Sequence, residues 1–494
     1  MCIGVVATTM LGCSLFDWAT PFVKVGDAGD AVSDSPIVTD GGDGGAAWTC
    51  ESITSDPDIK QKLPAIVPVD LPPNANVVSV AASDDLQQKI NAAKPGDVLE
   101  LEVGATFTGP FTLPAFTASG WIVIRTATPD AQLAMPGTRV SPALAPKMAK
   151  LTSSSSPVIS LANGAGSYRI IGLEIEATTG TTVDMGSGGT HDVILDRVYA
   201  HGGGMMLQGQ RVALIDSYSS GASVNNYAVT INGSGPVRIT NDKLDSPGAH
   251  IWIEQGSDVE ICQNAMTSSS GSNTANVHMT NASTVLIAGN VLDTIGITMS
   301  CTQGQQQDVT LAYNHTTHAV EYMYLSDKTT NVVVHDNLFD SSDTPVNDVR
   351  LFGSSSQPVA SFKLDHNTFT SASDKFLYLN SPGPFGTNVI LTNNIAPYGN
   401  YGVFGNGGSV SASGTAALDA YIGSYTYAYN ALWGNPGAAS SYPPNNFFPG
   451  SAQEMAFATD WSLTSSSPYK AKASDGRDIG ADITTLTAAT MNVP

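Results

Sequence analysis

Eight short segments set one side chain between two apolar neighbours, and the side chains in the middle could do chemistry together. The segments are Met205-Met206-Leu207, Val229-Thr230-Ile231, Ile251-Trp252-Ile253, Val277-His278-Met279, Ile297-Thr298-Met299, Met323-Tyr324-Leu325, Val349-Arg350-Leu351 and Leu377-Tyr378-Leu379. If each is a strand, period-two alternation sends Met206, Thr230, Trp252, His278, Thr298, Tyr324, Arg350 and Tyr378 to one outward column. Flanking positions carry His250, Tyr322 and Asp348 on one side and Gln208, Asn232, Glu254, Thr280 and Ser300 on the other. Neighbouring strands lie about 4.8 Å apart, so Trp252 would touch His278, Tyr324 would touch Arg350, and Thr298 would stand between the pairs. Aromatic faces stack on sugar rings, and His, Tyr and Arg supply the proton transfers and carboxylate neutralisation that glycan cleavage requires. The competing use of such aromatics is to pack under loops of neighbouring turns.

A column of this kind needs strands stacked in register, and the chain repeats accordingly. Val259-Glu260-Ile261, Val285-Leu286-Ile287, Val309-Thr310-Leu311, Val332-Val333-Val334, Phe362-Lys363-Leu364 and Val389-Ile390-Leu391 are followed by Asn264, Asn290, Asn314, Asn337, Asn367 and Asn394. In each case the Asn comes three residues after the second apolar one. Earlier copies, Val193-Ile194-Leu195, Val212-Ala213-Leu214 and Val237-Arg238-Ile239, lack the Asn. Starts at Val237, Val259, Val285, Val309 and Val332 lie 22, 26, 24 and 23 residues apart. That period, with short alternating strands and no helical pattern between them, predicts an all-β solenoid, the right-handed parallel β-helix. The Asn residues are expected at tight bends that want a left-handed conformation, with their amides bonded along the stack.

Composition agrees. The chain has 494 residues, of which 13% are charged, 42% are hydrophobic and 48 are glycine, a balance suited to turn-rich β structure and not to helix bundles. Asp plus Glu number 43 against 21 for Lys plus Arg, and the formal net charge of −22 excludes ordinary phosphate-backbone binding, so no nucleic-acid partner is expected.

Residues 1–23 read as an export leader, with the apolar run Cys2 to Gly12 leading into Cys13. Met10-Leu11-Gly12-Cys13 resembles the lipobox of bacterial lipoproteins, which implies lipidation of Cys13 and attachment to a membrane. Residues 24–75, rich in Asp, Gly and Pro, form an expected flexible tether. The β-helix is expected over 76–405, opened by a capping helix across Ser83–Ala93, and an irregular carboxy-terminal cap and tail over 406–494. Outside the leader, Cys50, Cys262 and Cys301 are an odd set that allows one bridge or buried free thiols. A capped β-helix needs no partner, so a monomer is expected.

Further residues carry a resemblance. Ala93-Lys94-Pro95-Gly96-Asp97-Val98-Leu99-Glu100-Leu101, then Gly104-Ala105-Thr106-Phe107, looks like the opening coil of the pectin-lyase-like superfamily of right-handed β-helix proteins. So do Trp121-Ile122-Val123-Ile124-Arg125, His191-Asp192-Val193-Ile194-Leu195-Asp196-Arg197 and the closing stretch Asp475 to Asp482. The likeness covers roughly residues 76–485 and is nearest to bacterial exported members, whether anchored at the cell surface or secreted. It implies a substrate lying along the sheet that carries the outward column. It does not choose a reaction, because the superfamily includes lyases, hydrolases, epimerases, esterases and non-catalytic surface proteins.

Three chemistries follow. A polysaccharide lyase acting on a uronic-acid-containing glycan needs a base for the C5 proton and a cation beside the carboxylate, either Arg, Lys or Ca2+ held by acids. Arg350 would neutralise, with His278 or Tyr324 as base or acid, and Trp252, His250, Tyr322, Tyr378 and Asn232 would bind the chain. The paired catalytic arginines and clustered Asp of pectate lyases are absent, and Arg197 stands where their coil has His. A glycoside hydrolase needs two carboxylates; Glu254 is the best single candidate, and Asp348 lies four coils away. The third reading is a non-catalytic glycan-binding or adhesive surface protein, which the acidic charge favours over binding of polyuronates. No cofactor is certain; Ca2+ could sit at the acidic turns around Asp293, Asp340 and Asp343. His315, His318, His335 and His366 are expected at solvent-facing turns.

Overall fold

A strand with apolar residues at alternate positions buries one face, and a repeat of such strands buries it best by stacking each strand on its own copy. In the computed structural model this happens coil after coil, giving a parallel β-solenoid of about 12 turns, the right-handed parallel β-helix expected from the repeat. The structure describes Cys50 and residues 75–493, apart from 187, 222–226, 234, 248, 269–274, 294–296, 302–303, 327, 342–346, 354–358, 373, 382 and 408–409. Cys13, the leader, nearly all of the 24–75 tether, Asp343 and the side chain of Asp348 lie outside the described residues. Contacts divide the chain into Met1–Ala46 and Ala47–Pro494, and the second unit holds the solenoid.

Each coil has three strands. The first carries the outward column, as in Val229–Gly233 or Glu321–Leu325; the second carries the Val-x-Ile core, as in Ala282–Ala288; the third follows the Asn, as in Val291–Asp293. Val259, Val285, Val309, Val332 and Phe362 align in one parallel ladder, as do Ile261, Ile287, Leu311, Val334 and Leu364. All are buried, and each contributes about 1.5–3 kcal/mol of burial energy.

The Asn residues form a continuous internal ladder: Asn264, Asn290, Asn314, Asn337, Asn367, Asn394, Asn430 and Asn446. The Asn290 Nδ2 donates to Asn314 Oδ1 at 2.9 Å and to the Ile261 carbonyl of the preceding coil at 3.0 Å. The backbone N–H of Asn290 donates to the same Asn314 Oδ1 at 3.0 Å. One side chain therefore binds the coil behind it and the coil ahead. The left-handed conformation falls on the residue before each Asn and not on the Asn itself: Gln263, Gly289, Tyr313, Asp336, His366, Asn393, Tyr429 and Asn445 have φ of 51–65°. The bend turns one position early, which points the Asn side chain inward, where its amide is used. Upstream the ladder continues through Asp242 and Ser217. Burial pushes the Asp242 carboxyl well above the usual range, and its Oδ1 accepts the Ser217 N–H as the Asn oxygens accept backbone N–H groups further along.

The ends are closed by other means. The amino-terminal helix runs over Leu86–Ala92, capped by Asp85, whose carboxylate accepts the Gln88 N–H; Asp85 and not Ser83 starts it. Leu86 and Ile90 cover the first coil. At the other end the coils pass residue 405, because Tyr425–Ala428 pairs with Val389–Thr392 and Ala431–Trp433 with Ile395–Pro397. The tail then returns across the Asn bends. The Asp482 N–H donates to Asp336, the Gly480 N–H to the Asn393 carbonyl, and Arg477 pairs with Asp336. This strap covers His335 and His366, which are buried and not solvent-facing as their turn positions suggested. A disulfide joins Cys50 to Cys262 and leaves Cys301 as a buried thiol.

Two residues expected on the outward face belong to the interior. His250 is fully buried, its Nε2 2.8 Å from the Thr267 carbonyl and its Nδ1 3.3 Å from Asn276 Nδ2. Tyr322 packs among Phe339 and Phe369 and donates its hydroxyl to backbone carbonyls of Phe339 and Ser371. Both lie at the entry to the first strand, where the side chains turn inward to fill the corner between first and third strands.

Replacing Asn314 by Ala removes the acceptor of the Asn290 backbone N–H and side-chain amide and the side-chain donor to the Ile287 and Ala312 carbonyls, and is expected to destabilise the protein by about 3 kcal/mol, read as a lowered denaturant midpoint. Burial also lowers the His250 pKa to about 4, so the native ring stays neutral while the unfolded chain takes up a proton below about 6.5. Stability should be fully present at neutral pH and decline as pH falls from about 6.5 towards 4, by up to about 3 kcal/mol from this group. Thermal melts of wild type and His250→Gln across that interval test this; the variant should show the shallower decline.

Candidate functional site

The outward column follows from the parallel register of the first strands. Thr230 pairs with Trp252, Trp252 with His278, His278 with Ser300, Ser300 with Tyr324, Tyr324 with Arg350, Arg350 with Tyr378, and Tyr378 with Phe404. Seven of the eight expected members are in place. Ser300 replaces Thr298, because Met299 and Cys301 turn inward at this coil and Thr298 is buried. The segment Ile297-Thr298-Met299 fits the apolar-x-apolar pattern as well as Met299-Ser300-Cys301 does, so alternation alone could not choose the frame.

One end of the column is an aromatic group. The Trp252 and His278 rings lie 6.2 Å apart at an interplanar angle of 19°, and Tyr227 lies 5.2 Å from Trp252 and 6.1 Å from His278. The Tyr227 hydroxyl is 2.7 Å from His278 Nδ1. Burial lowers the His278 pKa and raises that of Tyr227 to about 12, so at neutral pH the imidazole is uncharged and the phenol keeps its proton. The Trp252 Nε1–H is buried with no partner among the described residues.

The other end combines charge and aromatics. Arg350 Nε is 3.0 Å from Glu321 Oε1, and its guanidinium lies 5.7 Å from the centre of the Tyr378 ring. Lys375 approaches the same ring at 4.9 Å. Tyr324 stacks on Phe352 at 4.6 Å, and Tyr378 stacks on Phe404 at 6.0 Å. His278 and Arg350 are separated by three strand spacings, roughly 14 Å. They cannot serve one sugar unit. Tyr324, one spacing from Arg350, can share a unit with it.

Asn232 and Glu254 flank the column as expected, and they bond each other, Asn232 Nδ2 donating to Glu254 Oε2 at 2.8 Å. Beside them, where first strands bend into second strands, lies a cleft of about 440 Å³ lined by residues that include Gln208, Gln210, Asn232 and Gln255. Its rim carries His191 and Arg211, both bonded to Asp192. The Arg211 hydrogen bonds hold the Asp192 carboxyl below its usual range.

Several of these residues were not legible in the sequence. Tyr227, Phe352 and Phe404 stand outside the aligned triplets, and their closeness to the column depends on strand ends. On the face made by third strands, Lys150 bridges Glu174 and Glu176 at 2.8 and 3.1 Å, His201 reaches Glu174 at 2.9 Å and Tyr199 stacks on His201 at 4.5 Å. The alternation Leu173-Glu174-Ile175-Glu176 signals that both acids share a face; their charges are matched there by Lys150. For Ca2+, the described acids do not gather a donor set: Asp293 pairs with His318, and Asp340 accepts from Thr370 and Trp461. Cys50, Glu260 and Cys262 converge, but the two sulfurs are joined.

No family model matches the chain, and no curated protein matches it in sequence. Some solved structures are similar to it. An alginate lyase from Paenibacillus sp. str. FPU-7 is 14% identical over 71% of this chain and 99% of its own, with a TM-score of 0.35. A surface protein and adhesin of Streptococcus pneumoniae is 12% identical over 75% of this chain and 100% of its own, with a TM-score of 0.44. The catalytic unit of a thermostable alpha-1,3-glucanase from Streptomyces thermodiastaticus is 11% identical over 76% of this chain and 69% of its own, with a TM-score of 0.41.

Proposed function

We propose that the protein is an exported, polysaccharide-active β-helix protein, a lyase that binds a uronic-acid-containing glycan along the outward column and cleaves it by β-elimination. The observation that carries this reading is the pairing of Tyr324 with Arg350 on adjacent strands, inside a column of stacking rings. A polymer lying across the strands meets one side chain per coil, about every 4.8 Å. With the uronate carboxylate against Arg350, a base on Tyr324 removes the C5 proton. The electron pair forms the C4–C5 double bond, the C4–O bond breaks, and the departing oxygen takes from Tyr324 the proton that came off C5. Trp252, Tyr227 and His278 hold a different sugar unit, and His278, uncharged at neutral pH, belongs to binding in this arrangement.

One observation favours the second reading, a non-catalytic glycan-binding or adhesive protein. Arg350 already meets Glu321 at 3.0 Å, with its side chain only 15% exposed, so part of its charge is spent before any uronate arrives. The net charge of −22 acts in the same direction. Hydrolysis is supported least, since the Glu254 carboxylate is bonded by Asn232 and its carbonyl by Thr280, neither of them a second carboxylate. Attachment through a lipidated Cys13 and a monomeric state are part of the proposal.

Ultraviolet absorbance of the leaderless protein with pectic, alginate and glycosaminoglycan polymers, with Ca2+ and with chelator, is the decisive measurement. The expected result is rising absorbance from the new double bond, unaffected by chelator and lost in Arg350→Ala and Tyr324→Phe by at least about 100-fold. A flat trace across the panel with retained binding moves the assignment to the adhesive reading, and there Trp252→Ala should weaken binding more than Arg350→Ala.

A further inference from the structure

The cleft beside Asn232 differs from the column in its chemistry. Its lining side chains are mainly amides, Gln208, Gln210, Asn232 and Gln255, with His191 and Arg211 at the rim. The guanidinium there is already committed: Arg211 Nε and Nη2 donate to the two oxygens of Asp192 at 2.6 and 2.7 Å. The cleft therefore has little charge left for an anion. Side-chain amides each offer donors and an acceptor, as sugar hydroxyls do, whereas a carboxylate uses donors alone. Asn232 has its Nδ2 fixed on Glu254, leaving Oδ1 to accept.

Gln208 supplies an independent sign. Its residue is 6% exposed, it lines the cleft, and its Oε1 has no hydrogen-bond partner among the described residues. An unsatisfied buried amide is uncommon in a folded protein, and a water or a ligand hydroxyl entering from the cleft would satisfy it. At the cleft two coils come into close backbone approach: Gly209 has φ of 120°, and a Cβ there would collide with the Thr190 carbonyl. Its volume, about 440 Å³, lies in the range of small-ligand sites.

We propose that this cleft is a subsite for a neutral, hydroxyl-rich sugar unit, set off the axis of the column so that it takes a branch or a terminal residue of the bound glycan. The inference rests on the glycan-binding reading of the column and not on elimination chemistry. It names a mixed glycan, with uronate at Tyr324–Arg350 and a neutral sugar at Gln208–Gln255.

Calorimetric titration of the leaderless protein with neutral tetrasaccharides of glucose, galactose and xylose, and with tetragalacturonate and tetramannuronate, tests it. At least one neutral probe should bind, with affinity reduced about tenfold by Gln208→Leu and by Gln255→Ala. Gln255 is exposed, so its variant folds whatever happens at Gln208, and melting midpoints confirm this. Absence of neutral-sugar binding at millimolar concentration overturns the proposal. So does binding insensitive to both Gln variants, or uronate binding that shares their sensitivity. A flat ultraviolet trace with neutral binding intact would remove the lyase reading and leave the subsite standing.

Discussion

The buried asparagine ladder is the constraint on which the solenoid depends. A stack of parallel strands can slip in register, and a slip of one residue would send every inward side chain to the surface. Each Asn amide is bonded both to the preceding coil and to the following one, from Asn264 to Asn430, so a slipped coil would bury unpaired amides and carbonyls. The ladder thereby fixes where each second strand ends relative to its neighbours. It also sets the bend that precedes it, since the left-handed residue must sit one place earlier for the amide to reach inward.

Register at the core decides geometry at the surface. Because Val259, Val285, Val309 and Val332 are aligned, the first strands that lead into them are aligned as well, and one side chain per coil is presented at a fixed interval. Such a surface is linear by construction and suits a polymer. It also separates functions along its length: the Tyr227, Trp252 and His278 group is too far from Arg350 to share chemistry with it. Loop excursions can add to this strip, as the cleft beside Asn232 does, without disturbing the stack.

The electrostatic setting shapes what the strip can bind. With a net charge of −22, the surface repels polyanions except where a cation stands locally, and Arg350 stands beside Glu321 while Arg211 is bonded to Asp192. Aromatic stacking is indifferent to that field and operates at both ends of the column. The two readings of function differ over a single balance, whether Arg350 exchanges its contact with Glu321 for one with a uronate.

The sequence by itself determined the solenoid, its period, the inward ladders and most of the outward column, because repetition and period-two alternation are local properties that stacking merely extends. Trp252, His278, Tyr324, Arg350 and Tyr378 were legible for that reason. What only the tertiary structure decided lies at strand ends and corners, where alternation stops. There His250 and Tyr322 turn inward, Thr298 yields its place to Ser300, the strap from 475 onward buries His335 and His366, and Cys50 finds Cys262 across 212 residues. The cleft at Gln208 belongs to the same class, since it exists only where four coils bend together, and no spacing within one coil records that meeting.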